Sequence, residues 1–264
     1  MRPPVPYHGS KAKLAARLCA LFPTHDTYVE PFAGSASVLF HKAMVPVEVL
    51  NDLDCGVWSF FTALRDHPVE LAEACRLTPY SRREFIACVE GVDEPGVSVV
   101  ERARRWFTVV SQGFGSVPAT RGWSSPMAGA SSEAAKTAAL IERFAACADR
   151  LRGVHLEHRP AGEVIDAWGG RPETLLYVDP PYLGRTRAWA GHQASKRDYR
   201  VELQTVDEHV ALLAQLARVE AAVVLSGRAD PLYDDLLPDW AQVDLGSGEV
   251  IWSNRPLVEA LSLF

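Results

Sequence analysis

The sequence has few cysteines and lacks a long apolar run. Its five cysteines are odd in number, widely spaced and never arranged as C-x-x-C, which argues against a disulfide framework and against a zinc site. No apolar run approaches the roughly 18 residues that a membrane span needs, and prolines stand at the start, where a signal peptide would be apolar. We therefore expect a cytoplasmic protein with no membrane partner and no bound metal.

An overall excess of basic residues is also missing. The 27 Lys and Arg are outnumbered by 33 Asp and Glu, so the net charge of −6 gives no global field that would attract nucleic acid. Locally, the residues from Leu183 to Val201 include five basic side chains and one aspartate. Such a segment can lie along phosphates, or it can be a solvated loop if no site lies beside it.

Strand and helix patterns alternate towards both ends of the chain. Residues 27–51 read as strand, turn, helix and strand, which is typical of a βαβ unit. Strand patterns return at residues 154–157, 174–178, 221–226, 241–245 and 248–253. Thr205 and Glu208 have capping-box spacing before a helix. The alternation predicts an α/β fold with a mostly parallel sheet, and the last two strands predict an antiparallel edge hairpin.

The middle of the chain has a different pattern. From about Gly56 to Arg152 strand signals fade, while Ser81 with Glu84 and Ser98 with Glu101 fit capping boxes. We therefore expect one domain from residues 1–55 and 153–264, with residues 56–152 as a helical insertion. A Gly/Ser/Pro-rich loop from Gln112 to Ser132 lies inside it, and loops of that length are usually functional or mobile.

The strongest chemical motif is Asp179-Pro180-Pro181-Tyr182, which directly follows the apolar strand LLYV. In open α/β sheets ligands bind at the carboxyl ends of strands, and two prolines fix the backbone there. The Asp179 carboxylate and the Pro180 carbonyl suit the hydrogens of a planar amino group, and Tyr182 offers a ring on which a nucleobase can stack. The motif favours chemistry on the exocyclic amine of a base. The alternative is a strand-terminating turn with an incidental aspartate.

Two further motifs follow the first two strands. Glu30-Pro31-Phe32-Ala33-Gly34-Ser35-Ala36 opens a helix, and its small residues permit close backbone approach to a ligand. It lacks the G-x-G-x-x-G spacing, which argues against a dehydrogenase. Asp52 follows about 20 residues after the glycine turn, where an acidic side chain commonly binds ribose hydroxyls. It can also cap the next helix, and the two roles are compatible. The pair predicts a cofactor that carries a nucleoside.

Taken in order, these motifs resemble the Dam-like family of DNA adenine methylases. The resemblance is carried by Tyr7-His8-Gly9-Ser10-Lys11, then EPFAGSASVLF, NDLD and DPPY, and it spans most of the chain. It implies a Rossmann-like methyltransferase fold with a seven-stranded sheet and a helical target-recognition insertion. It also implies a site-specific enzyme that moves a methyl group from S-adenosyl-L-methionine (AdoMet) to adenine N6 in double-stranded DNA. The resemblance further implies base flipping and direct displacement of the methyl group. We also expect a monomer without a metal ion, in a bacterial or phage-infected cell.

The resemblance also assigns roles to individual residues. The catalytic motif is Asp179, Pro180, Pro181 and Tyr182. The cofactor positions are Tyr7, Gly9, Ser10, Lys11, Glu30, Pro31, Phe32, Gly34, Ser35, Asp52 and Asp179. For DNA contact we expect the helical insertion, its long loop and the basic segment, with Arg121, Trp123, Arg185, Arg187, Lys196 and Arg197.

Some positions depart from the family's pattern. Ala36 stands where a second glycine is frequent, Arg228 where an aromatic is frequent, and Pro160 and Ala161 where many relatives carry an aspartate that contacts the cofactor's adenine. The alternatives are a degenerate module that binds AdoMet or DNA without turnover, and the same chemistry on cytosine N4 or on RNA. The intact catalytic motif argues against the first, and its leading aspartate favours adenine over cytosine.

Overall fold

The computed structural model describes residues 1–117, 122–125, 132–183, 203, 205–246 and 248–258. Within these ranges the strands are β1 (Thr27–Glu30), β2 (Val47–Asn51), β3 (Val154–Glu157), β4 (Thr174–Val178), β5 (Ala222–Arg228), β6 (Ala241–Gly246) and β7 (Glu249–Ser253). They form one seven-stranded sheet in the order β3-β2-β1-β4-β5-β7-β6.

The sheet confirms the fold class expected from the sequence. Strands β1 to β5 pair in parallel, whereas β7 is antiparallel to β5 and β6 is antiparallel to β7. Every residue of β1 and β4 is buried, as expected for strands covered on both faces. The edge strand β6 is mostly exposed or half-buried. This is the Rossmann-like α/β arrangement, with the antiparallel pair at one edge.

Helices cover the sheet and fill the middle of the chain. They are α1 (Ala15–Leu21), α2 (Ser37–His41), α3 (Cys55–Asp66), α4 (Pro68–Leu77), α5 (Arg82–Gly91), α6 (Val99–Gln112), α7 (Glu133–Ile141), α8 (Phe144–Leu151), α9 (Ala161–Gly169), α10 (Val206–Leu216) and α11 (Pro231–Leu236). Short 3₁₀ turns occupy Lys11–Lys13 and Phe114–Ser116.

The predicted capping boxes have different outcomes. The box before α10 is confirmed, because the Thr205 hydroxyl accepts from the Glu208 amide and the Glu208 carboxylate accepts from the Thr205 amide. At α6 the Ser98 hydroxyl accepts from the Glu101 amide. At α5 the expectation of a cap by Ser81 is wrong, since its side chain makes no capping bond. The Glu84 carboxylate instead accepts a hydrogen bond from Arg104 at 2.7 Å.

The two faces of the sheet pack against different sets of helices. One core cluster joins Phe60 of α3, Phe107 of α6 and Phe144 of α8 to sheet residues such as Leu50 and Leu175. The other face packs against α9 and α10 through residues that include Val164, Ile165, Leu213 and Leu216. Among the helices from α3 to α8, all but α5 therefore share a hydrophobic core with the sheet, while Phe85 and Cys88 of α5 pack in a smaller cluster with Val109 of α6. The proposed limits of the insertion, residues 56 and 152, stay a prediction.

A buried ionic cluster also connects α8 to the sheet. Glu48 of β2 accepts hydrogen bonds from Lys42 at 2.7 Å and from Arg150 of α8 at 2.8 Å. Arg150 additionally donates to the Leu39 carbonyl in α2. Burial raises the pKa of Glu48, but the hydrogen bonds from Arg150 and Lys42 outweigh burial, and the pKa lies below its usual value. The cluster joins β2, α2 and α8.

Candidate active site

A cavity of about 460 Å³ opens at the carboxyl ends of β1, β2 and β4. All the positions expected to bind the cofactor line it, and these are Tyr7, Gly9, Ser10, Lys11, Glu30, Pro31, Phe32, Gly34, Ser35, Asp52 and Asp179. Pro180 and Pro181 of the expected catalytic motif line it as well. The parallel sheet thus brings together three motifs that are far apart in the chain, while the role of each residue stays a prediction.

Asp179 forms the acidic corner of this cavity, directly after β4. The Lys11 ammonium donates to both of its carboxylate oxygens at 2.7 Å and to the Gly9 carbonyl at 3.1 Å. Ser10 accepts from the Ala12 amide and so caps the 3₁₀ turn that carries Lys11. Burial raises the pKa of Asp179, and the positive charge of Lys11 opposes that rise. The corner therefore presents a carboxylate held in place by a buried lysine.

Tyr182 contacts the same corner. Its hydroxyl lies 3.3 Å from the nearer Asp179 oxygen and forms a shorter hydrogen bond to Glu249, the first residue of β7. The Lys11 ammonium lies 4.9 Å from the centre of the tyrosine ring. Burial, followed by the charges of Asp179 and Glu249, raises the pKa of Tyr182 well above its usual value. Tyr182 is therefore a neutral hydrogen-bond donor at physiological pH.

The glycine turn after β1 is linked to β2 through Asp52. The Gly34 amide donates to one Asp52 oxygen at 2.9 Å, and the Asp54 amide donates to the other at 2.8 Å. Gly34 has a φ of 49°, and a Cβ there would lie 3.1 Å from the Tyr7 ring. Both the backbone conformation and the limited space therefore favour glycine at this position. Burial and the charge of Asp54 raise the pKa of Asp52 to about 7. The turn and the carboxylate form one wall of the cavity.

Glu30 lies in the same wall of the cavity, where two hydrogen bonds hold its carboxylate. Its carboxylate accepts from the Tyr28 hydroxyl at 2.6 Å and from the Leu39 amide at 2.9 Å. Burial raises the pKa of Glu30 to about 8. The bond from Leu39 connects β1 to α2 behind the glycine turn, so Glu30 holds the turn in place as well as lining the cavity.

The cavity is also lined by residues outside the set of site residues expected from the sequence. Pro160, Ala161 and Gly162 line it at the start of α9, together with Glu208, Ala211, Leu212 and Gln215 of α10. Gln215 donates to the Gly162 carbonyl at 2.8 Å and to Asp166 at 2.7 Å. The four α10 positions have the i, i+3, i+4, i+7 spacing of one helix face, which is the sequence signal that could have indicated them.

The residues expected to contact DNA fall mostly outside the described ranges, namely Arg121, Arg185, Arg187, Lys196 and Arg197. Trp123 is described and half-buried: its ring lies 5.4 Å from that of Tyr80, and the Arg82 guanidinium lies 5.2 Å away. Its indole N–H donates to Gln112. These contacts anchor the loop to α5 and α6, and a DNA contact by Trp123 stays a prediction.

The described residues contain neither a membrane-spanning helix nor a cluster of metal-binding side chains. None of their helices has both the length and the apolar composition needed to cross a bilayer. In the same ranges, no group of three or more His, Cys, Asp or Glu side chains is arranged to hold a metal ion.

Comparison with known families agrees with the motifs. The family model of the D12 class N6 adenine-specific DNA methyltransferase matches residues 7–88, which is less than half of the 264-residue chain. The matched part contains the segment around Lys11, the glycine turn and Asp52. A comparison with curated proteins found no match. The family match over residues 7–88 confirms the resemblance to the Dam-like methylases and supports an enzyme of the adenine-specific DNA methyltransferase type.

Proposed function

We propose that AdoMet is the methyl donor, that the acceptor is a flipped adenine in double-stranded DNA, and that the reaction takes place at Asp179. One observation carries the proposal. The acidic corner after β4 opens into the same cavity as the glycine turn after β1 and Asp52 after β2. A donor bound by the turn and by Asp52 would therefore lie beside the corner that binds the amine.

The residues of the cavity fit AdoMet. A volume of about 460 Å³ lies within the usual range for small-molecule sites. Asp52 would accept hydrogen bonds from ribose hydroxyls, and the turn at Gly34 would bind the methionine part with little steric hindrance. The backbone at Pro160 to Gly162, with Gln215, is the proposed neighbour of the cofactor's adenine, where this chain lacks the family's aspartate. AdoMet supplies, when bound, a methyl group activated by its sulfonium charge.

Asp179 would act on the target amine in two ways. As an acceptor, with the Pro180 carbonyl, it would bind the two N6 hydrogens and favour the pyramidal nitrogen whose lone pair can attack the methyl carbon. The nitrogen–methyl bond forms as the sulfur–methyl bond breaks, and the amine then releases one proton. Burial raises the pKa of Asp179, which makes its carboxylate a better acceptor for that proton. The rest of the contribution is positioning and charge stabilisation.

The amine of a paired adenine is inaccessible inside the duplex. Extruding the base costs a few kcal/mol, and stacking on an aromatic ring returns about 1–3 kcal/mol. Tyr182, at the edge of the acidic corner, is the side chain proposed to supply this stacking. The same ring is close to the Lys11 ammonium, which can neutralise charge on Asp179 until the amine binds.

Transfer of tritium from labelled AdoMet to mixed-sequence DNA tests the proposal. We expect Asp179→Ala to lower the transfer rate at least about 100-fold, as for other groups that stabilise a transition state. Calorimetry should show that AdoMet binding changes only a few-fold. Asp239→Ala, at an exposed position outside the cavity, is the matched control and should keep the parent rate.

Three results would contradict the proposal. Full activity of Asp179→Ala would remove the acidic corner from the chemistry. A parent protein that binds AdoMet but labels no DNA would be a binding module. Label recovered as a modified cytosine, or in RNA alone, would assign the chemistry to a different acceptor.

A further inference from the structure

The acidic corner contains a second carboxylate, Glu249, for which the motifs give no role. Glu249 opens β7 and is 8% exposed. In the sheet β7 pairs with β5, whose Ser226 lies within hydrogen-bonding distance of this carboxylate. The side chain therefore reaches the corner from the antiparallel edge of the sheet, whereas Asp179 comes from its parallel centre.

Three groups converge on one oxygen of Glu249. The Tyr182 hydroxyl donates to it in a short hydrogen bond, and the Ser226 hydroxyl donates to it at 3.1 Å. The Lys11 ammonium lies 3.4 Å away, while it binds both Asp179 oxygens at 2.7 Å. A buried carboxylate is costly without a countercharge and hydrogen bonds, and here both are present.

The hydrogen bond from Tyr182 affects Asp179 directly. A phenol has one hydrogen to donate, and both Asp179 and Glu249 are within reach of it. Because the phenol can donate its hydrogen to only one of the two carboxylates at a time, Glu249 competes with Asp179 for it. Whenever the hydrogen is donated to Glu249, Asp179 keeps a lone pair that the tyrosine would otherwise occupy.

We propose that Glu249 is a positioning residue that acts through Tyr182. By accepting the phenol hydrogen from a strand of the sheet, it fixes the ring on which the target base stacks, and it leaves the Asp179 carboxylate to the amine. This inference rests on the proposed roles of Asp179 and Tyr182. The positioning role requires an acceptor oxygen at the Glu249 side chain, and it does not require the negative charge.

Steady-state kinetics of Glu249→Gln and Glu249→Ala separate acceptor from charge. The glutamine keeps an oxygen for both hydroxyls, so we expect its kcat within about threefold of the parent, whereas the alanine variant should lose about tenfold, the equivalent of one buried hydrogen bond. The KM for AdoMet should stay within about twofold in both, because Glu249 does not line the cofactor turn. Glu173→Ala, at an exposed glutamate directly before β4 and outside the helical insertion, is the control.

The route through Tyr182 is tested by a double-mutant cycle with Tyr182→Phe. We expect Glu249→Ala to lower kcat by less than about twofold in the Tyr182→Phe background, because the hydroxyl that it serves is already gone. Equal losses in the glutamine and alanine variants, fully additive losses in the cycle, or an unchanged kcat in Glu249→Ala would each overturn the inference.

The same double-mutant cycle can also be measured as the stability of each variant in urea denaturation, which needs neither AdoMet nor DNA. The Tyr182–Glu249 bond should appear there as a coupling of about fivefold in the unfolding equilibrium constant. Absence of this coupling would overturn the inference even if transfer is seen. A parent that shows the coupling but produces no N6-methyladenine would instead mark failure of the proposed function, and the positioning role would fail with it.

Discussion

Ala36 has a backbone conformation that its side chain disfavours. It lies in the left-handed region, with φ 51° and ψ 32°, directly before α2, and it is fully buried. For a residue with a Cβ this region costs roughly 1–2 kcal/mol, which is the physical reason that a glycine suits this position. The strain is located in the turn that leads from β1 towards the cofactor cavity.

Ala36→Gly should relieve this strain. Relief of about 1–2 kcal/mol exceeds the roughly 0.8 kcal/mol lost with a buried methyl group, so we expect the free energy of unfolding to rise by up to about 1 kcal/mol. Urea denaturation measures the change. Ala138→Gly, at an exposed position in α7, is the matched control and should lose about 1 kcal/mol. An equal loss in both variants would show that Ala36 is unstrained.

Asp52 predicts a pH dependence of cofactor binding. Because its pKa is raised to about 7, the carboxylate that would accept the ribose hydroxyls becomes fully charged only above that pH. We expect the AdoMet affinity to rise about fivefold between pH 6 and pH 8, and Asp52→Asn to weaken binding and remove this rise. Calorimetry at the two pH values provides the test, with Asp239→Asn as control. A rise that persists in Asp52→Asn would assign it to another group.

The raised pKa of Asp52 makes stability depend on pH in the opposite direction from AdoMet binding. A carboxyl group whose pKa is raised by folding binds protons more tightly in the folded state. Its contribution to the free energy of unfolding is therefore complete below the usual carboxyl pKa and is lost as the pH rises through about 7. Binding and stability should thus change in opposite directions over this range.

At the scale of elements, the ionic cluster of Glu48, Lys42 and Arg150 connects the helical middle of the chain to the sheet. Arg150→Met removes one partner and leaves Glu48 with Lys42 alone. We expect a loss of about 3 kcal/mol in the free energy of unfolding, because the Glu48 carboxylate and the Leu39 carbonyl lose the buried hydrogen bonds that Arg150 donates. Arg152→Met, at an exposed arginine of the same region, should change it by less than about 0.5 kcal/mol. Equal losses of unfolding free energy in the two variants would show that the buried cluster stabilises the fold no more than an exposed arginine does.

The elements show why sequence reasoning succeeds for some parts of the site and fails for others. The apolar runs of β1 and β4 and the box at Thr205 are local signals, and the structure has these elements. Asp179 and Asp52 follow strand ends, so the topology of a parallel sheet brings them together. Glu249 has no comparable signal. Its contact with Tyr182 depends on the pairing of β7 with β5, a long-range register that spacing along the chain does not reveal.

At the scale of the whole molecule, the net charge of −6 makes DNA binding depend on local basic surfaces. The segment from Leu183 to Val201 is the basic stretch that directly follows the catalytic motif. Neutralising Arg185 and Arg187 together should weaken DNA binding. The slope of log affinity against log salt should fall in magnitude by about 0.9 for each phosphate that the variant no longer neutralises.

A matched double variant controls for net charge in that experiment. Arg171 and Arg218 are exposed and lie just after the ends of α9 and α10, so replacing both changes the net charge equally. We expect the parent salt slope in this control. An unchanged slope in the Arg185 and Arg187 variant, or the same change in both variants, would argue against phosphate contact by the basic segment.

Long-read mapping of modified bases in DNA from cells that express the protein measures the base and its flanking sequence together. We expect N6-methyladenine at one recurring sequence in cells with the parent protein and none above background in cells with Asp179→Ala. N4-methylcytosine in place of methyladenine, no modified base at all, or methyladenine that persists without the Asp179 carboxylate would contradict adenine methylation at this acidic corner.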